Sequence, residues 1–86
     1  MPELSRFLGI VIAMYFNDHN PPHFHVLYNE YEASIAIDNL AVLDGELPSR
    51  IIGLVAEWAG LHKTELLNDW NSIQETGKYY KIAPLV

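Results

Sequence analysis

The sequence predicts one α+β domain over residues 1–86, with a small antiparallel β-meander of three or four strands packed against one long C-terminal helix. Two observations lead to this class. Short runs rich in β-branched and aromatic residues, separated by turn residues, fill the first half of the chain. Apolar residues at three- and four-residue steps fill the second half. At 86 residues, the chain has room for a single hydrophobic core.

The predicted strands cover residues 7–16, 23–28, 31–37 and 40–43. The run 7–16 is apolar at both alternating sets of positions, which predicts a strand covered on both sides. The Pro21-Pro22 pair favours an extended backbone, so we expect the second strand to begin only after it. Asn29-Glu30 predicts a tight turn into the third strand, because Asn tolerates positive φ.

The predicted helix covers residues 48–76. Pro48 suits its first turn, where a missing N–H costs nothing, and Gly77 ends it. Gly53 and Gly60 lie inside this helix, and close packing against the sheet is the simplest explanation for both. A break near Gly60 that makes two helices is the alternative. Residues 77–86 are predicted to form an extended tail that adds an edge strand or wraps a neighbouring chain.

The charge balance argues against a free-standing nucleic-acid binder. The net charge is −6, with five lysines and arginines, whereas affinity for nucleic acid comes mainly from cations that neutralise phosphates. A local basic pocket, or binding to a basic partner, stays open. Cysteine is absent, which excludes disulfides and thiolate chemistry. The apolar run from Leu8 to Phe16 is too short to span a bilayer, so we expect a cytoplasmic protein without a membrane segment.

A histidine-rich segment is the part of the sequence with chemical character. Three of the four histidines lie within residues 19–25. On a strand, residues i and i+2 share a face at about 6.7 Å, so His23 and His25 can converge while Phe24 enters the core. His19, across the proline-stiffened loop, can complete a three-nitrogen site for Zn²⁺ or another divalent metal. Asp18 would then be a further ligand or would orient one.

Two other interpretations remain open at this stage, and with them the question of enzymatic activity. Without a metal, His23 and His25 can act as general base and general acid, an arrangement suited to RNA cleavage. That chemistry also needs a cation, for which Arg6 and Lys63 are the candidates. Alternatively, the histidines are only polar residues on an exposed strand face. The candidate binding residues around the pair are Asp18, His19, Asn20, Arg6 and Tyr15.

The chain resembles the domain of unknown function 4160 family of small prokaryotic proteins. The resemblance is strongest over Asp18-His19-Asn20-Pro21-Pro22-His23-Phe24-His25-Val26 and continues through Tyr31-Glu32-Ala33 and Glu57-Trp58-Ala59. The resemblance implies that the gene often lies beside a second small gene, of the domain of unknown function 2442 family, in pairs that look like toxin–antitoxin operons. It assigns no catalytic residue.

The leading hypothesis from the sequence is therefore a small cytosolic protein-interaction or regulatory module, one component of a toxin–antitoxin-like pair. It would bind its small cognate partner through the sheet edge, the tail or the helix. Half of the residues are hydrophobic, which agrees with a partner or with a homo-oligomer. The alternatives are a histidine-dependent ribonuclease or hydrolase, acting as the toxin, and a metal-binding module.

Overall fold

The structure is a computed structural model that describes residues 2–86. Its five strands form one antiparallel sheet in chain order: β1 (Glu3–Phe7), β2 (Ile10–Ala13), β3 (His23–Tyr28), β4 (Tyr31–Ala36) and β5 (Val42–Glu46). Two helices follow, α1 (Ser49–Leu61) and α2 (Lys63–Thr76). The α+β class and the antiparallel meander are confirmed, but the sheet has five strands where three or four were predicted.

The predicted single strand over residues 7–16 is wrong, because a hairpin turn divides it. Leu8 and Gly9 have φ values of 52° and 78°, and Phe7 pairs with Ile10 across them. Two consecutive positive φ angles are typical of two-residue hairpin turns, in which the backbone twist matches that of the two flanking strands. Leu8 carries no turn signal of its own, since a leucine rarely adopts positive φ. The two arms of the hairpin therefore looked like one continuous apolar run.

The predicted last strand, residues 40–43, is shifted along the chain. Leu40 has a φ of 60° and lies in the turn, and β5 begins at Val42 and passes through Asp44 and Gly45, where it was expected to end. The other two predicted strands agree closely with β3 and β4. The expected turn between these two strands is also present, with Asn29 at a φ of 52°.

The predicted helix over residues 48–76 is two helices. The break falls at His62, whose φ of −126° and ψ of 25° are not helical. The alternative of two helices is therefore confirmed, two residues beyond the expected position near Gly60. Gly77 ends α2 with a φ of 78°, and its N–H donates to the carbonyl of Ile73, as a helix-terminating glycine does.

Trp58 lies at the centre of the core, where the sheet and the helices meet. Its side chain is fully buried, and its ring centroid lies 5.6 Å from that of Phe7 and 6.2 Å from that of Phe24. The indole Nε1–H donates to the carbonyl of Ala83 at 2.8 Å. The N–H of Ile82 donates to the carbonyl of Leu4 on β1. The tail thus packs on its own chain, and Ile82 is buried there.

Gly53→Ala is expected to stabilise the fold. A Cβ built at Gly53 or Gly60 meets nothing within 4 Å, so the close-packing explanation for these glycines is wrong. Alanine loses less backbone entropy in a helix interior, and we expect the free energy of unfolding to rise by about 0.5–1 kcal/mol. Urea and thermal denaturation would measure this. A loss of stability would show that the position packs against something after all.

Asp69 is buried beneath the tail and gives a pH-dependent prediction. Its Oδ1 accepts from the N–H of Tyr80 at 2.8 Å, and its Oδ2 has no partner among residues 2–86. Burial raises the pKa of Asp69. The Tyr80 hydrogen bond opposes this shift, and the charge of Glu65 adds to it.

Because the pKa of Asp69 is raised in the folded state, its contribution favours folding at acid pH and is lost as the pH rises through its folded value. An asparagine at this position cannot ionise, but it keeps the acceptor for Tyr80. Asp69→Asn should therefore gain stability relative to the parent as the pH rises from 3 to about 7. Urea denaturation across that range would measure the difference, and a pH-independent difference would contradict the prediction.

Candidate functional site

The site is built where the loop before β3 folds back over the first residues of that strand. Phe24 is fully buried in the core, so the flanking His23 and His25 lie on the other face of the sheet. His23 is nonetheless buried, being only 6% exposed. The N–H of Ile37 donates to the carbonyl of Pro22, which attaches the end of the loop to the sheet.

Asp18 joins the two histidines through one carboxylate oxygen. Its Oδ2 lies 2.9 Å from Nε2 of His23 and 2.8 Å from Nε2 of His25. Each of these three residues offers one atom that could ligate a metal ion, and these three atoms all lie within 4.8 Å of one another. We call Asp18, His23 and His25 the His/Asp cluster.

In each neutral ring, the hydrogen bond made by Nδ1 determines whether Nε2 carries a proton or a lone pair. Nδ1 of His23 lies 2.7 Å from the carbonyl oxygen of Pro21. A carbonyl only accepts, so Nδ1 carries a proton, and Nε2 of the neutral ring keeps its lone pair. That lone pair faces the carboxylate of Asp18. Two acceptors at hydrogen-bond distance repel each other, so a metal ion bound between the neutral ring and the carboxylate would remove this repulsion.

His25 has more freedom than His23. Its Nδ1 lies 3.3 Å from the Ser34 hydroxyl, which either donates or accepts, so both neutral tautomers are allowed. In one of them Nε2–H donates to Asp18. In the other, Nδ1–H donates to Ser34, and Nε2 offers a lone pair beside that of His23.

The carboxylate of Asp18 is ionised over a wide pH range. Burial raises the pKa of this group, but the hydrogen bond from His25 and, when the rings are protonated, the charges of both histidines and a hydrogen bond from His23 outweigh it. The net result is a pKa of Asp18 below its ordinary value. The cluster therefore presents an anionic oxygen, which suits a cation held between the three residues.

Two aromatic side chains pack on the histidine rings. The Tyr15 ring lies 4.3 Å from that of His25, and the Trp70 ring lies 5.2 Å from that of His23. Burial raises the pKa of Tyr15, with further contributions from the charges of Glu32 and Asp18, so its hydroxyl stays protonated at neutral pH. The sequence placed Tyr15 among the binding residues. Trp70 was not among them, because nothing local links α2 to the histidine loop.

Two adjoining clefts, of about 330 and 460 Å³, open beside the cluster and share Asp18, His19 and Asn20. The first is also lined by Pro21, His23, His25, Ser34, Leu43 and Asp44, and the second by Trp70, Asn71, Gln74 and Glu75. No lysine or arginine in the described part of the chain lines either of these clefts. The surroundings of the cluster are therefore acidic.

Other predicted site residues lie outside the cluster. The His19 side chain is 93% exposed, with its Nδ1 3.9 Å from Oδ1 of Asp18. Thus the structure brings His23 and His25 together with Asp18 and leaves His19 at the rim. Asn20 lines both clefts without joining the cluster.

The two candidate cations lie elsewhere. Arg6 pairs with Glu3 at 2.7 Å, and Lys63 pairs with Asp38 at 3.4 Å. Neither lines the clefts described above. A phosphate in the first cleft would therefore meet no cationic side chain from either residue.

The fold and the site define a small α+β protein whose five-stranded meander displays a His/Asp cluster beside an open cleft. The chain belongs to the family described as Domain of unknown function (DUF4160), which matches residues 9–71 and so includes the whole cluster. The resemblance predicted from the sequence is confirmed. No curated protein and no solved structure matches the chain. Within residues 2–86, neither helix is long and apolar enough to cross a membrane.

Proposed function

We propose that this protein binds a divalent first-row transition metal, with Zn²⁺ as the first candidate, through Asp18, His23 and His25. One observation carries the proposal. The Pro21 carbonyl accepts from Nδ1 of His23, so in the neutral ring the Nε2 lone pair is aimed at the Asp18 carboxylate. Histidines that bind metals typically donate their other N–H to a carbonyl or carboxylate in this way.

The dimensions of the cluster fit a metal ion. A metal about 2.0–2.1 Å from each ligand atom keeps neighbouring ligand atoms roughly 3.3 Å apart. The Asp18 oxygen already lies 2.8 and 2.9 Å from the two nitrogens, so the side chains need to open only slightly. Two histidines and one carboxylate are the ligand set of zinc hydrolases and of non-haem Fe(II) centres.

The cleft supports an open position on such a metal. Three protein ligands leave at least one coordination site, and here it would face the cleft of about 330 Å³. A zinc-bound water in such a position has a pKa near 7, which suits hydrolysis. Metal-free acid–base catalysis has less support. Both Nε2 atoms face the same carboxylate oxygen, and a substrate would have to displace it.

Titration calorimetry of tag-free protein with Zn²⁺, Co²⁺ and Ni²⁺ tests this proposal. We expect one ion per chain at micromolar concentrations. Bound Co²⁺ should also give visible absorption bands that report nitrogen and oxygen ligands. Absence of binding to all three metals would overturn the proposal.

A second candidate function is binding of a small cognate partner, as one half of a toxin–antitoxin-like gene pair. Its support is β5, whose five residues are all exposed and which pairs only with β4. Val42 and Leu43 there are 40% and 45% exposed. An unpaired strand edge is a common docking surface for another strand. We propose the cytoplasm as the location for either function.

Size-exclusion chromatography tests the second candidate with the co-expressed product of the neighbouring gene. Co-elution is the expected result, and a homo-oligomer of the chain alone would point to self-association instead. Two proteins that elute separately at micromolar concentration would count against the partner.

A further inference from the structure

We infer that the ligand completing the metal site carries a cationic group, an ammonium or guanidinium, which Asp44 binds at the opposite wall of the cleft. The inference rests on the metal site proposed above, and it adds the class of ligand. Three features of the structure lead to it: the register of the sheet, the charges around the cleft, and the attachment of β5.

The register of the sheet places Asp44 in line with the metal site. His25 on β3 pairs with Ser34 on β4, and Ser34 pairs with Asp44 on β5. Directly paired residues lie on the same face of a sheet. Neighbouring strands are about 4.8 Å apart, so Asp44 lies roughly 10 Å across the sheet from His25. All three residues line the first cleft.

The charges around the clefts leave Asp44 without a cation. Within residues 2–86, its carboxylate takes part in no hydrogen bond or ion pair. The cleft linings contain the carboxylates Asp18, Asp44 and Glu75 and no lysine or arginine. A positive charge near Asp44 would therefore come from the ligand, and an anionic end placed there would be repelled.

The backbone holds Asp44 in this position. The next residue, Gly45, has a φ of 78°, and a Cβ added to it would lie 2.1 Å from the carbonyl oxygen of Glu32. This close approach sets β5 tightly against β4. The backbone of Asp44 is thus held in a defined position relative to the cluster.

The ligand class follows from the two ends of the cleft. One end of the ligand offers an oxygen donor to the metal, such as the carbonyl of an amide. The other end carries the cation, separated from the first by an extended chain that spans the cleft. A lysine or arginine side chain with its adjoining carbonyl has this form, as does a small amino acid amide.

Two hydroxamates test the inference on Zn²⁺-loaded protein. The hydroxamates of aminocaproic acid and of heptanoic acid have the same chain length, and they end in an ammonium and a methyl group, respectively. We expect the ammonium compound to bind about fivefold more tightly at low salt, because the ion pair is partly exposed to solvent. Asp44→Asn should abolish the preference. The control Glu46→Gln, on the same strand but outside the cleft lining, should keep it.

The outcomes separate this inference from the metal site. Equal binding of the two compounds by the parent, with Zn²⁺ bound, would overturn the inference and leave the metal site standing. A preference that persists in Asp44→Asn would overturn the role of Asp44. A protein that fails to bind Zn²⁺ in the preceding titration would overturn both. Circular dichroism of each variant checks that the exposed substitutions leave the fold intact.

Discussion

Zinc affinity should fall by at least about 100-fold when Asp18 is replaced by asparagine, if the His/Asp cluster is the metal site. Loss of an outer-shell partner alone typically costs 10–100-fold, and here the anionic ligand itself is removed. Asparagine has nearly the same shape, and its amide can donate to the histidine nitrogens. The metal-free variant should therefore keep its fold. Calorimetry with Zn²⁺ on parent and variant measures the loss.

His19→Ala is the matched control for that experiment. His19 neighbours Asp18 in the sequence, but its side chain is 93% exposed and stands outside the cluster. We expect this variant to bind Zn²⁺ within about threefold of the parent. Equal losses in the two variants would indicate that His19 swings inward to become a ligand, as the three-histidine set predicted from the sequence requires. Unchanged affinity in Asp18→Asn would contradict the cluster itself.

Gly45→Ala should destabilise the fold by about 2–4 kcal/mol, a large effect for one methyl group. The new Cβ would lie 2.1 Å from the Glu32 carbonyl oxygen and 2.9 Å from the Cα of Ala33, both of them backbone atoms that cannot simply turn away. Strain from the positive φ adds to this clash. Urea denaturation of parent and variant gives the change in free energy of unfolding.

The control substitution Gly77→Ala separates the steric clash from the strain of the positive φ. Gly77 has the same φ of 78°, but a Cβ there meets nothing within 4 Å, so only the conformational cost of about 1 kcal/mol applies. We expect Gly45→Ala to cost clearly more than Gly77→Ala. Similar costs for the two substitutions would show that β5 moves away from β4 without penalty.

The fold class could be predicted from the sequence because its signals are local. The Pro21-Pro22 pair and the Asn29-Glu30 turn delimited β3 and β4, and the three- and four-residue steps marked the helices. The errors arose where tertiary structure overrides local preference. Leu8 takes a turn conformation that leucine disfavours, and β5 passes through Asp44-Gly45, residues more typical of a turn. In each case pairing with a neighbouring strand supplies the energy that the local sequence lacks.

The candidate site likewise has a part that the sequence could predict and a part that depends on tertiary structure. The two-residue spacing of His23 and His25 was enough to place them on one face. The position of Asp18 depends on how the loop folds, and residue spacing alone could not distinguish it from His19. Trp70 and Asp44 come from distant parts of the chain. Only the packing of α2 and the register of β5 bring them to the histidines.

The attachment of the tail makes the two edges of the sheet unequal. The N–H of Ile82 donates a hydrogen bond to the carbonyl of Leu4, so the tail of the chain already uses one backbone acceptor of β1. By contrast, β5 is exposed along its length. A sheet that can be extended from both sides can grow into a fibre, whereas a sheet extended from one side stops after a single addition. Strand pairing between chains should therefore occur at β5 in preference to β1, which favours a pair of chains over a fibre.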